Sequence, residues 1–316
     1  MQAGSTVGPF TLGKILGQGG MATVFKAQHA VDAHPVALKV LRPDIAGDAN
    51  FTAAFGDEVR AAAKLDHARV TTVYDHGIIT AEEAGESVGF AGAPWLAMEL
   101  VDGGTISGLA GKVGWTTIKS VLIDVLDALA HAHARGLIHR DIKPGNVLFD
   151  SASGRIKLTD FGLAASADFT ADPDGIGKIL FDTEQITGTP SFMAPEQIRN
   201  TWRDYGPWTD LYAVGAMAWA LATGRPPYQG TMTDVFSQHL AGVLPEFEPL
   251  HPMPLVFVEW IEAMMGVNPD HRFRRSADAA WALSQIQMDT SEGDTAALVA
   301  AHQRVGVDGE HPSLLG

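Results

Sequence analysis

Five short runs, in a fixed order along the chain, hold residues whose types and spacing could do chemistry. His139-Arg140-Asp141-Ile142-Lys143-Pro144-Gly145-Asn146 packs a carboxylate able to accept a proton, two cations and an amide into eight residues. A solvated polar loop is the ordinary reading of such a run. However, Leu137-Ile138 before it and Val147-Leu148-Phe149 after it are apolar, which argues for a loop held between buried segments. Asp160-Phe161-Gly162 follows the strand-like Ile156-Lys157-Leu158 and supplies a second carboxylate.

Lys39, in Val36-Ala37-Leu38-Lys39-Val40, puts an ammonium into an apolar strand, which is costly if it is buried without a partner. An edge lysine facing water is the plain alternative, and Glu58 is the carboxylate that could reach it instead. Gly17-Gln18-Gly19-Gly20-Met21-Ala22-Thr23-Val24 lacks side chains where backbone N–H groups could approach a phosphate. A tight hairpin would use the same glycines. Thr23-Val24-Phe25 reads as strand, whereas a dinucleotide fold needs a helix there, and no GxxxxGK[ST] run occurs. The last run is Gly188-Thr189-Pro190-Ser191-Phe192-Met193-Ala194-Pro195-Glu196.

The elements that must position these runs follow from periodicity. Phe10 to Leu16, Ala22 to Gln28 and Val36 to Leu41 are β-prone, as are Val70 to Ile79 and Pro94 to Val101. Phe51, Phe55, Val59, Ala62 and Leu65 recur at helical spacing over 49–65, with Asp48 or Asn50 as the cap. Thr80 to Ala93 reads as a loop. Beyond Val101, Ile118, Val121, Leu122, Val125, Leu126 and Leu129 define an amphipathic helix with Thr116 as its cap and Gly136 after its last turn. Leu211 to Ala222 is apolar on nearly every side and reads as a buried helix ending at Gly224. Further helices are expected at Thr233–Ala241, Leu255–Met265 and Ser276–Gln287. The expected fold class is α+β in two lobes: a small, mainly antiparallel β lobe with one helix over 1–101, and a larger, mainly helical lobe over 102–288. Asp102-Gly103-Gly104 is the joint, and 289–316 is expected to be a polar, poorly ordered tail.

Composition bounds the rest. The chain has 316 residues and a formal charge of −15, and its 46% of hydrophobic residues is ordinary for a globular protein with a large core. The acidic balance argues against nucleic acid or an anionic membrane as main partner. With no cysteine, thiol catalysis and thiolate metal sites are excluded. The longest apolar run, Leu211 to Ala222, falls short of the roughly 20 residues of a membrane span, and no secretory leader is visible, so a cytoplasmic location is expected.

Taken together, GQGGMATVFKA, VALKV, HRDIKPGN, DFG and GTPSFMAPEQ resemble the landmarks of the eukaryotic-type Ser/Thr protein kinases found in bacteria. The resemblance runs from Phe10 to Gln287. It implies that Leu16, Gly17, Gln18, Gly19 and Gly20 cover the phosphates of ATP and that Lys39 binds them, held by Glu58. Val24, Ala37 and Leu148 would enclose the adenine, with Met98 behind it and the backbone of Glu99 to Val101 along its edge. Asp141 would accept the proton of the acceptor hydroxyl and Lys143 would offset charge on the transferred phosphate. Asn146 and Asp160 would hold Mg²⁺, with Mn²⁺ as an alternative. Asp210 would anchor the catalytic loop, and Glu196 would pair with Arg272.

Lys143 and Thr189 are implied to favour a Ser or Thr acceptor on a protein. Arg140 would pair with a phosphate on Thr183 or Thr187, added by the protein to itself within a homodimer. Two departures stand out. Ala22 replaces a third loop glycine, and Ala62 stands where relatives carry a larger apolar residue. An inactive scaffold and a small-molecule phosphotransferase are the rival readings. The first is disfavoured by the retention of Lys39, Asp141, Asn146 and Asp160, the second by the 188–196 run.

Overall fold

Strand β4 (Pro35–Leu41) shows how the sheet is made. Successive side chains of a strand point to opposite faces. Val36, Leu38 and Val40 enter one apolar cluster, while Ala37 and Leu41 enter another. Lys39 shares its face with Ala37 and Leu41, and that face is the one covered by helix α1 (Ala49–Ala62), through Phe55 and Val59. The computed structural model describes residues 1–20, 22–42, 49–85, 90–161 and 190–288.

The other strands are β1 (Thr6–Val7), β2 (Phe10–Gln18), β3 (Ala22–His29), β5 (Val73–Ile78) and β6 (Pro94–Glu99). All six pair antiparallel in the order β1-β2-β3-β4-β6-β5. Helix α1 stops at Ala62 rather than Leu65. The chain then tightens into three-residue turns, with Lys64 N bonding to Ala61 O and Leu65 N to Ala62 O, although Leu65 stays buried.

The stretch expected to be a loop, 80–93, contains a helical turn, α2 (Ala81–Ala84). Thr80 and Glu83 form a reciprocal capping box, and Glu83 Oε1 also accepts from Gly8 N at 2.7 Å. That carboxylate ties the turn to the sheet edge, a contact from 75 residues away that local composition does not reveal.

The helical part is built on α3 (Trp115–His133) and α5 (Pro207–Thr223). Ile118, Leu122, Val125, Leu126 and Leu129 of α3 are buried, each contributing about 1.5–3 kcal/mol of burial. Gly114, not Thr116, caps α3, because Trp115 is drawn into the first turn against Phe257. Helix α5 is buried from Thr209 through Thr223 and ends at Gly224, whose φ of +81° suits a residue without a Cβ. Short helix α4 (Pro195–Ile198), then α6 (Met232–Ala241), α7 (Val256–Met264) and α8 (Ser276–Gln285), complete this part. A hairpin, β7 (Val147–Asp150) with β8 (Arg155–Leu158), frames the loop between the lobes. The joint at Asp102–Gly104 is bonded to this hairpin, Gly103 N to Phe149 O and Phe149 N to Gly104 O.

Candidate active site

Asp210, in the first turn of α5, organises the loop before Asp141. Its carboxylate accepts from His139 N at 2.8 Å, Arg140 N at 2.7 Å and His133 Nε2 at 2.7 Å. Burial by itself would raise its pKa. The His133 hydrogen bond and charge, with the field and amide of His139, outweigh burial and hold the carboxyl below its ordinary value. His139 then links two segments. Its Nε2–H donates to Thr159 O at 2.8 Å, which leaves Nδ1 to accept from Asp141 N at 3.3 Å. Its ring packs on Phe161 with centroids 4.6 Å apart. Arg140 and Asp160 both adopt left-handed backbone, φ +66° and +65°, unusual for residues with side chains and found where surrounding structure forces them.

Within this frame the charged groups converge. Lys143 Nζ lies 2.8 Å from Asp141 Oδ2. Asn146 Nδ2 donates to Asp141 O at 2.7 Å and Asp141 Oδ2 at 2.8 Å. Thr159 N bonds to Asn146 O, which brings the start of the Asp160 segment against the same loop.

Lys39 crosses from the sheet lobe to this cluster, with Nζ 2.8 Å from Asp160 Oδ1. The ion pair seen for Lys39 is this one with Asp160. Glu58, expected as its partner, is half-buried on α1 and has a contact of its own. Burial would raise the Asp160 pKa, but Lys39, helped by His139 and Lys143, keeps the carboxyl below its ordinary value.

The residues expected around a nucleotide lie on or just beyond strands β2, β3, β4, β6 and β7. Leu16, Gly17, Gln18, Gly19 and Gly20 form the exposed tip of the β2–β3 hairpin, closed by Gly19 N to Ala22 O at 2.9 Å. A Cβ on Gly17 or Gly20 would meet nothing within 4 Å, so the space beside the tip is open. Val24 is in register with Lys39, and Ala37 with Met98. Met98 is buried, and Thr159 Oγ1 points to its sulfur at 3.4 Å. Glu99 N is bonded to Thr72 O, while its carboxylate takes Lys157 Nζ at 2.5 Å. Val101 and Leu148 are half-buried nearby. Thr183, Thr187 and Thr189 lie outside the described residues.

Some contributors had only faint sequence signals. Asp124 sits among the apolar residues of α3 and is buried. It accepts from Arg155 Nε at 2.8 Å and faces Arg69 Nε at 3.3 Å, tying the loop after α1 and strand β8 to one helix. A carboxylate inside an otherwise apolar stripe was the available clue. Gln197 donates to Arg140 O at 2.8 Å, holding α4 against the loop that carries Asp141. Glu196 and Arg272 pair through two bonds of 2.8 and 2.9 Å, both buried. Among the described residues no group of three or more His, Cys, Asp or Glu side chains is arranged to hold a metal, and no helix is long and apolar enough to cross a membrane.

Comparison with known proteins agrees with this geometry. A family model described as the protein kinase domain matches residues 10–280. Serine/threonine-protein kinase PknF of Mycobacterium tuberculosis is 37% identical over 296 residues, covering 89% of this chain and 56% of that protein. Serine/threonine-protein kinase PknA of the same organism is 31% identical over 285 residues, covering 89% of this chain and 62% of its own length. The chain thus spans little more than half the length of these curated relatives. The kinase domain of Mycobacterium tuberculosis PknI superposes with a TM-score of 0.64 at 27% identity, covering 90% of this chain and 99% of that one.

Proposed function

Because this chain belongs to the protein kinase family and has its two-lobed fold, we propose that it transfers the γ-phosphoryl group of ATP to Ser or Thr hydroxyls of proteins, its own included. The observation that carries this reading is the convergence of Lys39 from one lobe with Asp141, Lys143, Asn146 and Asp160 from the other. The family uses ATP and a divalent metal. Asn146 and Asp160 offer hard oxygen donors, and so few protein ligands suit Mg²⁺, which keeps waters and phosphate oxygens in its shell. The Asn146 amide commits its Nδ2 to Asp141, leaving its oxygen for a cation. Bound there, Mg²⁺ would neutralise phosphate charge.

The chain's own groups supply the rest. Asp141 orients the acceptor hydroxyl and takes its proton, while Lys143, already paired with it, is placed to offset charge on the phosphoryl oxygens. Lys39 holds the nucleotide phosphates, and the open hairpin tip at Gly17–Gly20 covers them. Glu58 is assigned to hold Lys39 when Asp160 is taken up by metal. Thr189 closes the site around the acceptor, and Thr183 and Thr187 are proposed sites of self-phosphorylation. Arg140, whose Nε is buried with no hydrogen-bond partner among the described residues, is the proposed partner of that phosphate.

The test is direct. The chain is incubated with ATP and Mg²⁺ and its phosphosites are mapped by mass spectrometry, in parallel with Asp141→Asn. Phosphate on Ser or Thr that is absent from the variant is expected. Equal phosphate on both, or none on either with a generic protein acceptor also unmodified, would overturn the reading.

A further inference from the structure

Helix α5 starts beside the loop that carries Asp141 and runs away from it. Trp219 stands more than two turns past Asp210, about 13 Å along the helix axis. The chain leaves α5 at Gly224 and passes its end twice, as Arg225 to Gln229 and again as Pro245 to Glu248, where Leu250 N bonds back to Ala222 O. Between the two passes lies a cavity of about 190 Å³, far more than one water needs. Its apolar wall is Trp219, Pro226, Pro227 and Pro245. That wall is preformed. Each proline fixes its own φ, and the Trp219 ring is braced edge-on by Phe247, with centroids 5.0 Å apart.

The unspent polar capacity of the lining lies mainly with acceptors. Thr223 Oγ1 lies 3.0 Å from Trp219 O and 2.9 Å from Arg225 O, so its one hydrogen is already committed. Gln238 Nε2 donates to Gln229 O at 2.9 Å, which leaves Gln238 Oε1 to accept. Two carboxylates, Glu246 and Glu248, face a single cation, Arg225. Among the described residues Glu246 makes no ion pair, and Glu248 makes one, with Arg225 Nη2 at 3.3 Å. Both side chains of that pair are more than half exposed, so it is weak and easily exchanged.

We propose that this cavity binds an ammonium or guanidinium group carried on a short apolar stem. The stem packs on the prolines and Trp219, and the head reaches Glu246 and, by displacing Arg225, Glu248. An anion of the same size would meet two carboxylates, and a neutral apolar body would leave them unanswered. The chemistry is shared by a free guanidino amine and by an Arg or Lys side chain of a partner polypeptide. The site shares no residue with the cluster around Asp141, and the proposal stands independently of the phosphotransfer reading.

Isothermal titration calorimetry of the full chain at low salt tests it. Agmatine represents the free ligand and end-blocked arginine the polypeptide side chain, with n-butanol as the stem alone and butyrate as the opposite charge. At least one of the two cations should bind with a Kd of about 1 mM or tighter, and both controls at least about 10-fold more weakly. The double variant Glu246→Gln, Glu248→Gln should weaken the cation about 10-fold or more, whereas Arg225→Gln should tighten it about 2-fold or more, because Glu248 is then free. These positions are exposed, and thermal unfolding checks that each variant folds; should the double variant fail, Arg225→Gln decides. Binding of agmatine alone assigns the cavity to a free ligand, and binding of blocked arginine alone assigns it to a partner's side chain. No saturable binding of either cation, binding that butyrate matches, an affinity indifferent to both glutamates, or weaker binding by Arg225→Gln would overturn the proposal.

Discussion

Lys39 Nζ and Asp160 Oδ1 stand 2.8 Å apart, joining a strand of the sheet lobe to the segment after β8 across the cleft. Both side chains are largely shielded from water, at 15% and 21% exposure, so the pair is stronger than a surface ion pair and its rupture costs more. It also explains how Asp160 stays ionised although burial opposes its charge.

The first prediction concerns that pair. A double-mutant cycle with Lys39→Met and Asp160→Asn, read by chemical unfolding without nucleotide, should give a coupling of about 1–3 kcal/mol. Both Lys39→Met and Asp160→Asn should lower phosphotransfer by about 100-fold or more. A coupling below about 0.5 kcal/mol would show that the pairing in solution differs.

The second concerns pH. Asp210 has its pKa lowered on folding, so its native carboxylate contributes stability that is present above the unfolded value near 3.8 and is lost as pH falls through the lower folded value. Asp210→Asn removes this contribution and leaves the His139 and Arg140 amides and His133 with a weaker acceptor. The variant should be less stable than the parent by about 2–4 kcal/mol at pH 7. The gap should shrink below about pH 4, as the carboxyl of the unfolded parent takes up a proton that the native carboxylate still refuses. Unfolding curves at pH 7, 5 and 3.5 measure it; a gap that does not change with pH would remove the carboxylate's charge from the explanation.

The ease of reading this chain differs by the range of the contact. The side of β4 that Lys39 occupies follows from strict alternation with its apolar neighbours Leu38 and Val40, and the buried core of α5 from a run of apolar residues with no polar face. The end of α5 followed from Gly224. The loop carrying Asp141 was legible because its residue types are chemically dense and its flanks apolar. What was not legible joins residues far apart in sequence. Asp160 beside Lys39 and Glu83 reaching Gly8 are both decided by packing between elements. Thr116 failed as a cap for the same reason: the Trp115 contact with Phe257 sets where α3 begins.

The third prediction concerns Glu196 and Arg272, at 2% and 0% side-chain exposure. Arg272 also donates to the carbonyls of Gly266, Val267 and Trp208, and Thr209 Oγ1 donates to Glu196 Oε1. Arg272→Met leaves a buried carboxylate and three carbonyls without their donor, and should cost about 3–5 kcal/mol. Arg272→Lys keeps the charge but cannot reproduce the fork, so it should recover less than half of that loss. Thermal unfolding of the two variants separates charge from geometry. Full recovery by Lys would show that charge alone matters.

The fourth concerns Ala62, at the end of α1. A cavity of about 20 Å³ lies between this helix and the cleft, lined by Val59, Ala62, Val70, Leu96, Met98 and Phe161 among others. That is room for about one water-sized body, and the lining is mostly apolar, with Thr71 and Asp160 in its wall, so the gap forfeits apolar contacts. Ala62→Val adds two methyl groups at its edge and should raise stability by about 0.5–1.5 kcal/mol, the gain in buried area exceeding the small helix penalty at a terminal position. Ala62→Phe exceeds the space and should lower stability by about 1–3 kcal/mol. Because the filled gap would brace α1 against Phe161, the Val variant should also slow hydrogen exchange in α1 relative to α3. An exchange pattern unchanged in α1, with stability unchanged as well, would mean that the gap is already closed in solution.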